Sequence, residues 1–172
     1  MHPAEIETAL EGMVVLVDTR EQDTASLQER VRHFGKYERE KLDAGDYSAK
    51  VPLSDGNWHY LPVAVERKMS LDELISCYCQ QRARFKREFE RAKAANIKLY
   101  LLVENGSWES AYRGLYRSKM RAKSLIGSIL AWMARYDCQL IFCRPQTSGQ
   151  LIRDILYREA KEDLMRRCTD DL

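Results

Sequence analysis

Two uninterrupted apolar runs in the chain predict β-strands that are buried on both faces. The first run lies in residues 13–18, and the second runs from Leu99 to Val103 within residues 98–104. Shorter strands are predicted at residues 37–42, 47–51, 60–68 and 139–143. The turn-forming cluster at residues 52–57 contains Asp55-Gly56, and it predicts that the strands on either side form a hairpin.

Apolar residues at helical spacing predict helices between these strands. The helices cover residues 26–34, 70–92, 119–136 and 149–167, and the pattern of the second allows a break near Cys79-Gln80. Gly35 is expected to close the first helix, and Ser70 or Asp72 to cap the second. The alternation of strands and helices predicts an α/β fold, and we expect one domain over residues 1–172.

Length and composition fit an ordinary globular domain. The 172 residues are 45% hydrophobic and 31% charged, which excludes a disordered or fibrous chain. No apolar stretch approaches the ~20 residues of a membrane span, and the amino terminus has no signal-peptide pattern. We therefore expect a cytoplasmic protein that does not contact a membrane.

The cysteines indicate a reducing environment. Five cysteines at irregular spacing match neither a disulfide framework nor a paired zinc site, so we expect buried structural thiols. They are Cys77, Cys79, Cys138, Cys143 and Cys168.

Charge is distributed unevenly although the net charge is only +2. Residues 1–65 carry seven Lys or Arg against twelve Asp or Glu, whereas residues 66–123 carry fourteen against seven. A basic segment can bind phosphates, and an acidic segment can attract divalent cations. Solvated helix faces are the alternative explanation of the same pattern.

A constellation of acidic and basic residues suggests chemistry on phosphate esters. Gly45-Asp46 precedes the hairpin turn and Glu66-Arg67-Lys68 follows it, so a turn centred near Gly56 places Asp46 opposite Glu66, about 5 Å away. Two carboxylates at that distance favour a hard divalent cation such as Mg²⁺, and Lys68 lies on the same strand face as Glu66. The alternative is a ladder of surface salt bridges on a hairpin.

Three blocks together resemble a known family. Val17-Asp18-Thr19-Arg20-Glu21, Gly45-Asp46-Tyr47 and Glu66-Arg67-Lys68-x3-Asp72 match, in order, the signature of the XPF-type structure-selective endonuclease domain (excision-repair cross-complementation group four). Arg84-Phe85 and the strand ending at Glu104 extend the likeness, which covers residues 13–105 well. The resemblance implies a restriction-endonuclease-like, PD-(D/E)xK core with a central mixed β-sheet flanked by α-helices.

The resemblance also implies the activity and the site. It implies Mg²⁺- or Mn²⁺-dependent cleavage of DNA near flaps, forks or junctions in repair or recombination. Metal ligation carries over to Asp46 and Glu66, and a catalytic role to Lys68. Supporting polar roles carry over to Asp18, Arg20, Glu21, Arg67, Asp72 and Arg84. Beside such a motif, we expect DNA contacts from Arg84, Arg117, Lys119, Arg121 and Lys123.

Other functions stay open at this point. Many family members continue into a tandem helix-hairpin-helix module, which this sequence does not show. We therefore expect the substrate to be held by the nuclease domain itself, by a second subunit or by a separate DNA-binding partner protein. A non-catalytic DNA-binding or dimerising subunit is the alternative to an enzyme. Another nuclease of the same fold, such as a junction resolvase, is a third possibility. By resemblance, a small stand-alone domain of this type suggests a bacterial or phage setting.

The two helices near the carboxyl end suggest self-association. The helices at residues 119–136 and 149–167 carry more apolar residues than one ~100° stripe requires. Together with the strand at residues 139–143 they predict a symmetric homodimer, with Ile129 and Ile155 at the interface. The alternative is that both helices cover the sheet.

Overall fold

In a computed structural model of the chain, residues 3–170 are described. The elements are α1 (Pro3–Glu11), β1 (Val14–Asp18), α2 (Ala25–Val31), β2 (Tyr37–Glu40), β3 (Tyr47–Pro52), β4 (Trp58–Tyr60), β5 (Val63–Lys68), α3 (Leu71–Cys79), α4 (Arg82–Ala94), β6 (Lys98–Glu104), α5 (Trp108–Arg113), α6 (Ala122–Tyr136), β7 (Gln139–Cys143) and α7 (Pro145–Asp170). The pattern analysis missed α1 and α5.

The strands form a mixed sheet, which confirms the predicted α/β class. β1 is parallel to β2 and antiparallel to β3, and β6 is parallel to β7. The chain divides into two compact units, which are described separately below. The first unit comprises the described parts of residues 1–42, 46–64 and 149–172, and the second comprises residues 43–45 and 65–148.

In the first unit, β1 lies between two neighbouring strands. Val15 is opposite Tyr37 of β2 and Ala49 of β3, and every residue of β1 is buried. A strand with partners on both edges and cover on both faces needs an apolar sequence, which explains the uninterrupted run. From Gly149 onward, α7 also belongs to this unit, and it buries one residue per turn: Ile152, Leu156, Ala160 and Leu164.

The predicted register of the hairpin is wrong by two residues. Lys50 lies opposite Tyr60 and Pro52 lies opposite Trp58, and β4 then ends at Tyr60. Pro62 follows, and proline removes a ladder donor from the strand, so the run predicted over residues 60–68 is divided into β4 and β5. The hairpin register therefore gives no basis for placing Asp46 opposite Glu66.

In the second unit, β6 and β7 pair in parallel, and an aromatic cluster joins α3, α4 and α6. Trp132 stacks on Phe85 with ring centroids 5.6 Å apart and meets Tyr78 edge-on at 5.2 Å. The break allowed near Cys79 is confirmed, since α3 ends there and α4 begins at Arg82. The side chain of Ser70, and not that of Asp72, caps α3 by accepting the N–H of Glu73.

The interface positions expected on the last two long helices are not both on the surface. Ile129 is fully buried within its own subunit and Ile155 is partly buried. The buried residues of α6 form a single stripe that faces the aromatic cluster: Leu125, Ile126, Ile129, Trp132 and Tyr136. Leu130 remains accessible, with 49% of its surface exposed.

Two further expectations concern the thiols and the membrane. All five cysteines are free, and Cys77 and Cys138 are buried as expected. Cys143 and Cys168 are only partly buried, and Cys79 is exposed at the end of α3, so the expectation of a buried thiol is wrong for Cys79. In the described part of the chain, no helix combines the length and apolar character that a membrane crossing needs.

Two helical glycines give a matched test of the packing in the first and second units. A Cβ at Gly149 would lie 2.7 Å from the backbone oxygen of Arg30, whereas a Cβ at Gly127 on α6 meets nothing within 4 Å. We expect Gly149→Ala to lower the free energy of unfolding by about 1–3 kcal/mol because the added methyl group collides with the Arg30 backbone. Gly127→Ala should raise it by about 0.5–1 kcal/mol, since alanine favours a helix. Urea unfolding measures both, and equal effects would contradict the described approach of α7 to Arg30.

Candidate active site

A small cavity of the second unit collects the charged residues of β5 and α4. It has a volume of about 50 Å³ and is lined by Glu66, Lys68, Cys77, Gln81, Arg84, Phe85 and Glu88. Glu66 and Lys68 reach it together because alternate residues of a strand share a face. The sequence predicted this shared face, and the structure adds the α4 residues that complete the cavity.

Glu66 and Lys68 form a buried ion pair. The Lys68 ammonium contacts the Glu66 carboxylate, and their residues are 8% and 4% exposed. The ammonium also lies 5.6 Å from the centre of the Phe85 ring, close enough for a cation–π interaction. Each buried charge needs the other, because an isolated charge in the protein interior is strongly unfavourable.

Glu88 is a site residue that the sequence analysis did not select. Its Oε1 atom accepts the N–H of Gly45 at 3.1 Å, and its side chain lines the cavity. Gly45 has a φ of +74°, a left-handed conformation that favours glycine, and Asp46 is the next residue of the chain. The available signal was spacing, since Glu88 follows Arg84 by four residues and shares its helix face.

Asp18, in the first unit, is buried and surrounded by donors. Its Oδ1 atom accepts the backbone N–H and the Nε–H of Arg20, both at 2.7 Å. Its Oδ2 atom accepts Arg20 Nη2 at 3.0 Å and the N–H of Leu42 at 2.8 Å. The backbone N–H of Asp18 donates to the carbonyl of Asp46 at 2.9 Å. Asp18 therefore holds both ends of the segment from Leu42 to Asp46.

The pKa of Asp18 reflects these contacts. Burial alone would raise the pKa, but the hydrogen bonds from the Arg20 side chain and from the N–H groups of Leu42 and Arg20 outweigh it. The net effect is a pKa below the ordinary value of 3.8. Asp18 and Arg20 are thus a structural pair at the end of β1.

Glu21 belongs to a second network of the first unit. The Tyr47 hydroxyl donates to Glu21 Oε2 at 3.2 Å and accepts Arg30 Nε–H at 2.9 Å. Burial raises the pKa of Tyr47, so the hydroxyl stays protonated and keeps its donor role. Glu21 is therefore engaged with α2 and β3 as part of the scaffold.

Arg67 and Asp72, which the resemblance also selected, bind groups within the second unit. Arg67 points to the other face of β5, as predicted, and donates to both carboxylate oxygens of Glu104 at 2.8 and 2.6 Å. Asp72 accepts the backbone N–H groups of Arg117 and Ser118 at 3.0 and 2.8 Å. Neither residue lines the cavity that contains Glu66.

The predicted DNA-binding residues are accessible to solvent. Arg84 is exposed at the cavity itself, beside Glu66 and Lys68. The other four lie between α5 and the first turn of α6: Arg117, Lys119, Arg121 and Lys123. Exposed cations of this kind are the side chains that bind phosphate backbones.

The donors of the cavity fit a hard divalent cation. Burial raises the pKa of Cys77 to about 11, so its thiol is protonated at neutral pH. The charged ligands left in the cavity are the carboxylate oxygens of Glu66 and Glu88, the kind that Mg²⁺ and Mn²⁺ prefer. Among the residues with described positions, no three His, Cys, Asp or Glu side chains are grouped as a metal site. Mg²⁺ needs fewer, because it binds through one or two carboxylates, water and substrate phosphate.

Comparisons with known proteins agree on the fold. The family model described as "ERCC4 domain" matches residues 17–155. The structure titled "XPF from Aeropyrum pernix" is similar with a TM-score of 0.58 and 22% identity, over 83% of this chain and 64% of that one. A second, "XPF from Aeropyrum pernix, complex with DNA", has a TM-score of 0.60 and 22% identity, over 87% and 66%.

The similarity to the two solved structures covers only part of their length. The chain spans just under two thirds of the length of both solved structures. At this level of identity the likeness shows the fold, and it confirms the restriction-endonuclease-like core. No curated protein sequence matches the chain.

Replacement of Asp18 tests its structural role. We expect Asp18→Asn to lower the free energy of unfolding by about 1–3 kcal/mol, because an amide presents donors to groups that are themselves donors. The folded-state pKa is depressed, so the stabilisation is complete above pH 3.8 and is lost as the pH falls towards the folded-state value. Urea unfolding from pH 7 to pH 3 measures the gap between wild type and variant.

The exposed Asp154, paired with Arg153 on the surface, provides the matched control. Asp154→Asn should change stability by less than about 0.5 kcal/mol. A gap for Asp18→Asn that stays constant with pH would contradict the role given to the Asp18 carboxylate.

Proposed function

The chain belongs to the ERCC4 domain family of nucleases, and from that premise we propose that it is a metal-dependent endonuclease that hydrolyses phosphodiester bonds in branched or structured DNA. The observation that carries the proposal is the buried Glu66–Lys68 pair in a cavity bordered by Arg84. A carboxylate, an ammonium and a guanidinium at one cavity are the groups that a hydrolysis of phosphate esters requires.

In this proposal, two carboxylates are the ligands of the metal ion. Asp46 and Glu66 would hold Mg²⁺ or Mn²⁺, as their positions in the matched blocks imply. A bound cation of this kind makes a coordinated water more acidic and offsets charge on the phosphate. The carboxylate oxygens of the cavity and its protonated Cys77 thiol support a hard cation at Glu66, whereas the assignment of Asp46 rests on the matched blocks alone.

The residues of the chain itself bind and orient the phosphate. The Lys68 ammonium lies against the Glu66 carboxylate and the Phe85 ring, and its positive charge can offset the negative charge that develops on the phosphate oxygens. Arg84 is exposed at the same cavity and can donate to a phosphate oxygen through two N–H groups. Glu88 holds Gly45 and so fixes the backbone that precedes Asp46.

The proposed substrate is DNA with a fork, flap or junction. Basic residues between α5 and α6 supply phosphate contacts away from the cavity: Arg117, Lys119, Arg121 and Lys123. A similar solved structure is of an XPF in complex with DNA, which supports DNA as the polymer. A non-catalytic DNA-binding subunit is the alternative, and cleavage assays separate the two.

Loss of the proposed metal ligands should abolish cleavage. We expect Asp46→Asn to reduce the rate of cutting of a labelled DNA fork in Mg²⁺ by at least about a thousandfold, because one ligand charge disappears while the side-chain size is kept. Binding of the same fork in EDTA should stay within about twofold of wild type. Glu90→Gln, on the exposed face of α4, is the control and should cut like wild type.

A test of the buried Glu66–Lys68 ion pair needs a double variant. Glu66→Gln alone leaves the Lys68 charge buried without its carboxylate, and we expect loss of stability together with loss of activity. Glu66→Gln with Lys68→Met removes both charges, so it should fold and bind DNA but not cut. Wild-type turnover in Asp46→Asn, or in the double variant, would reject the site assignment.

We also propose a homodimer, on the basis of apolar surface in the second unit. The apolar residues of β7 are only partly buried, including Leu140, Ile141 and Phe142, although the strand pairs with β6. On α6, Leu130 is 49% exposed. Accessible apolar groups on a strand and a helix are typical of a contact surface.

Leu130→Glu tests the dimer without disturbing the interior. We expect wild type to have about twice the monomer mass in light scattering at micromolar concentration, and Leu130→Glu to have the monomer mass while it remains folded. Ile129→Glu is unsuitable, because Ile129 is buried within the subunit and the charge would unfold it. A wild-type mass of 20.1 kDa that does not change with concentration would exclude the dimer.

A further inference from the structure

Asp72 directs its carboxylate at the main chain of the loop between α5 and α6. We call residues 114–121 the basic loop. Oδ1 of Asp72 accepts the N–H of Arg117 at 3.0 Å and the N–H of Ser118 at 2.8 Å. Oδ2 lies 3.2 Å from the same Arg117 nitrogen. The carboxylate thus binds the middle of the basic loop by its backbone.

The basic side chains of the loop are exposed to solvent. The side chain of Arg117 is 95% exposed although its N–H is held, and its Nε atom is 3.8 Å from Asp72 Oδ2. Lys119 and Arg121 are also exposed. Residues 110–136 contain no Asp or Glu, so the loop carries no acidic side chain of its own.

Two further bonds close the basic loop. The Tyr116 hydroxyl donates to the carbonyl of Met120 at 2.8 Å, and the Met120 N–H donates to Ser118 Oγ at 3.2 Å. Gly114, with a φ of +66°, ends α5 and starts the loop. Internal bonds therefore shape the loop, and Asp72 ties that shape to the first turn of α3.

We propose that Asp72 is a positioning residue that presents the basic loop to the phosphates of DNA, and that it is not a metal ligand. This inference rests on the proposed function. An ordered loop loses less conformational freedom on binding than a disordered one, so the backbone contacts of Asp72 increase the affinity for DNA. They do so although the carboxylate itself has the same sign of charge as the phosphates.

Two substitutions separate the roles of Asp72. Asp72→Ala removes both backbone contacts. Asp72→Asn keeps Oδ1, which accepts both N–H groups, and removes the charge that a metal would need. A positioning role therefore predicts that asparagine rescues the function, whereas a metal-binding role predicts that asparagine abolishes cleavage as completely as Asp46→Asn.

DNA binding is the first readout. A labelled DNA fork in EDTA should bind Asp72→Ala about tenfold more weakly, and its salt slope should be less negative by about one for each phosphate that the loop no longer neutralises. Asp72→Asn should bind within about twofold of wild type or more tightly, since one negative charge is gone. Arg117→Ala is the control for the loop, and Asp72→Ala combined with it should add little to either single change.

Single-turnover cleavage in Mg²⁺ at saturating enzyme is the second readout. The rate constants of Asp72→Ala and Asp72→Asn should remain within about threefold of wild type, because the loop acts on binding and not on the chemical step. A decrease of about a hundredfold or more in Asp72→Asn with intact binding would overturn the proposal and return Asp72 to the metal site.

Amide hydrogen exchange measures directly how well the backbone of the basic loop is held. The N–H groups of Arg117 and Ser118 should exchange faster in Asp72→Ala and near the wild-type rate in Asp72→Asn. Unchanged exchange in Asp72→Ala overturns the anchor. If wild type binds and cuts DNA while Asp72→Ala does both equally well, only the assignment of Asp72 fails. If wild type neither binds nor cuts a DNA fork, the proposed function fails, and the role of Asp72 in DNA binding fails with it.

Discussion

A charge that leaves water must meet an opposite charge or several hydrogen-bond donors, and this constraint organises the polar residues of the protein. Asp18 satisfies it with four donors from Arg20 and Leu42. Glu66 satisfies it with the Lys68 ammonium. Each carboxylate is held by groups from its own unit, and the contacts that offset the burial of Asp18 also hold the backbone at Arg20 and Leu42.

The motif residues consequently divide into two kinds, although all of them are charged. Glu66 and Lys68 line the cavity that Arg84 borders. Asp18, Arg67 and Asp72 instead bind backbone or side-chain groups of the scaffold. A charged residue in a catalytic motif therefore need not touch the substrate, since a loop or turn in the wrong place disables a site as surely as a missing ligand.

The sequence predicted the regular elements well where one physical signal dominated. The apolar run at β6 and the apolar stripe of α6 gave the element types and nearly the right ends. α5 was missed because six residues carry too little periodicity, although Ser107 and Gly114 could have marked its caps. The hairpin register failed because the turn is centred one residue earlier than Gly56, which shifts every cross-strand partner by two, and the strand also breaks at Pro62.

The candidate site was predictable as a set of residue types but not as a set of contacts. Strand alternation placed Glu66 and Lys68 on one face, and the structure agrees. The partners that hold the site are distant in sequence: Glu88 binds Gly45 across 43 residues, and Asp72 binds Ser118 across 46. No local pattern encodes such pairs. Glu88 and Asp72 are both carboxylates on helices, and only the three-dimensional structure shows that Glu88 borders the cavity whereas Asp72 holds a loop.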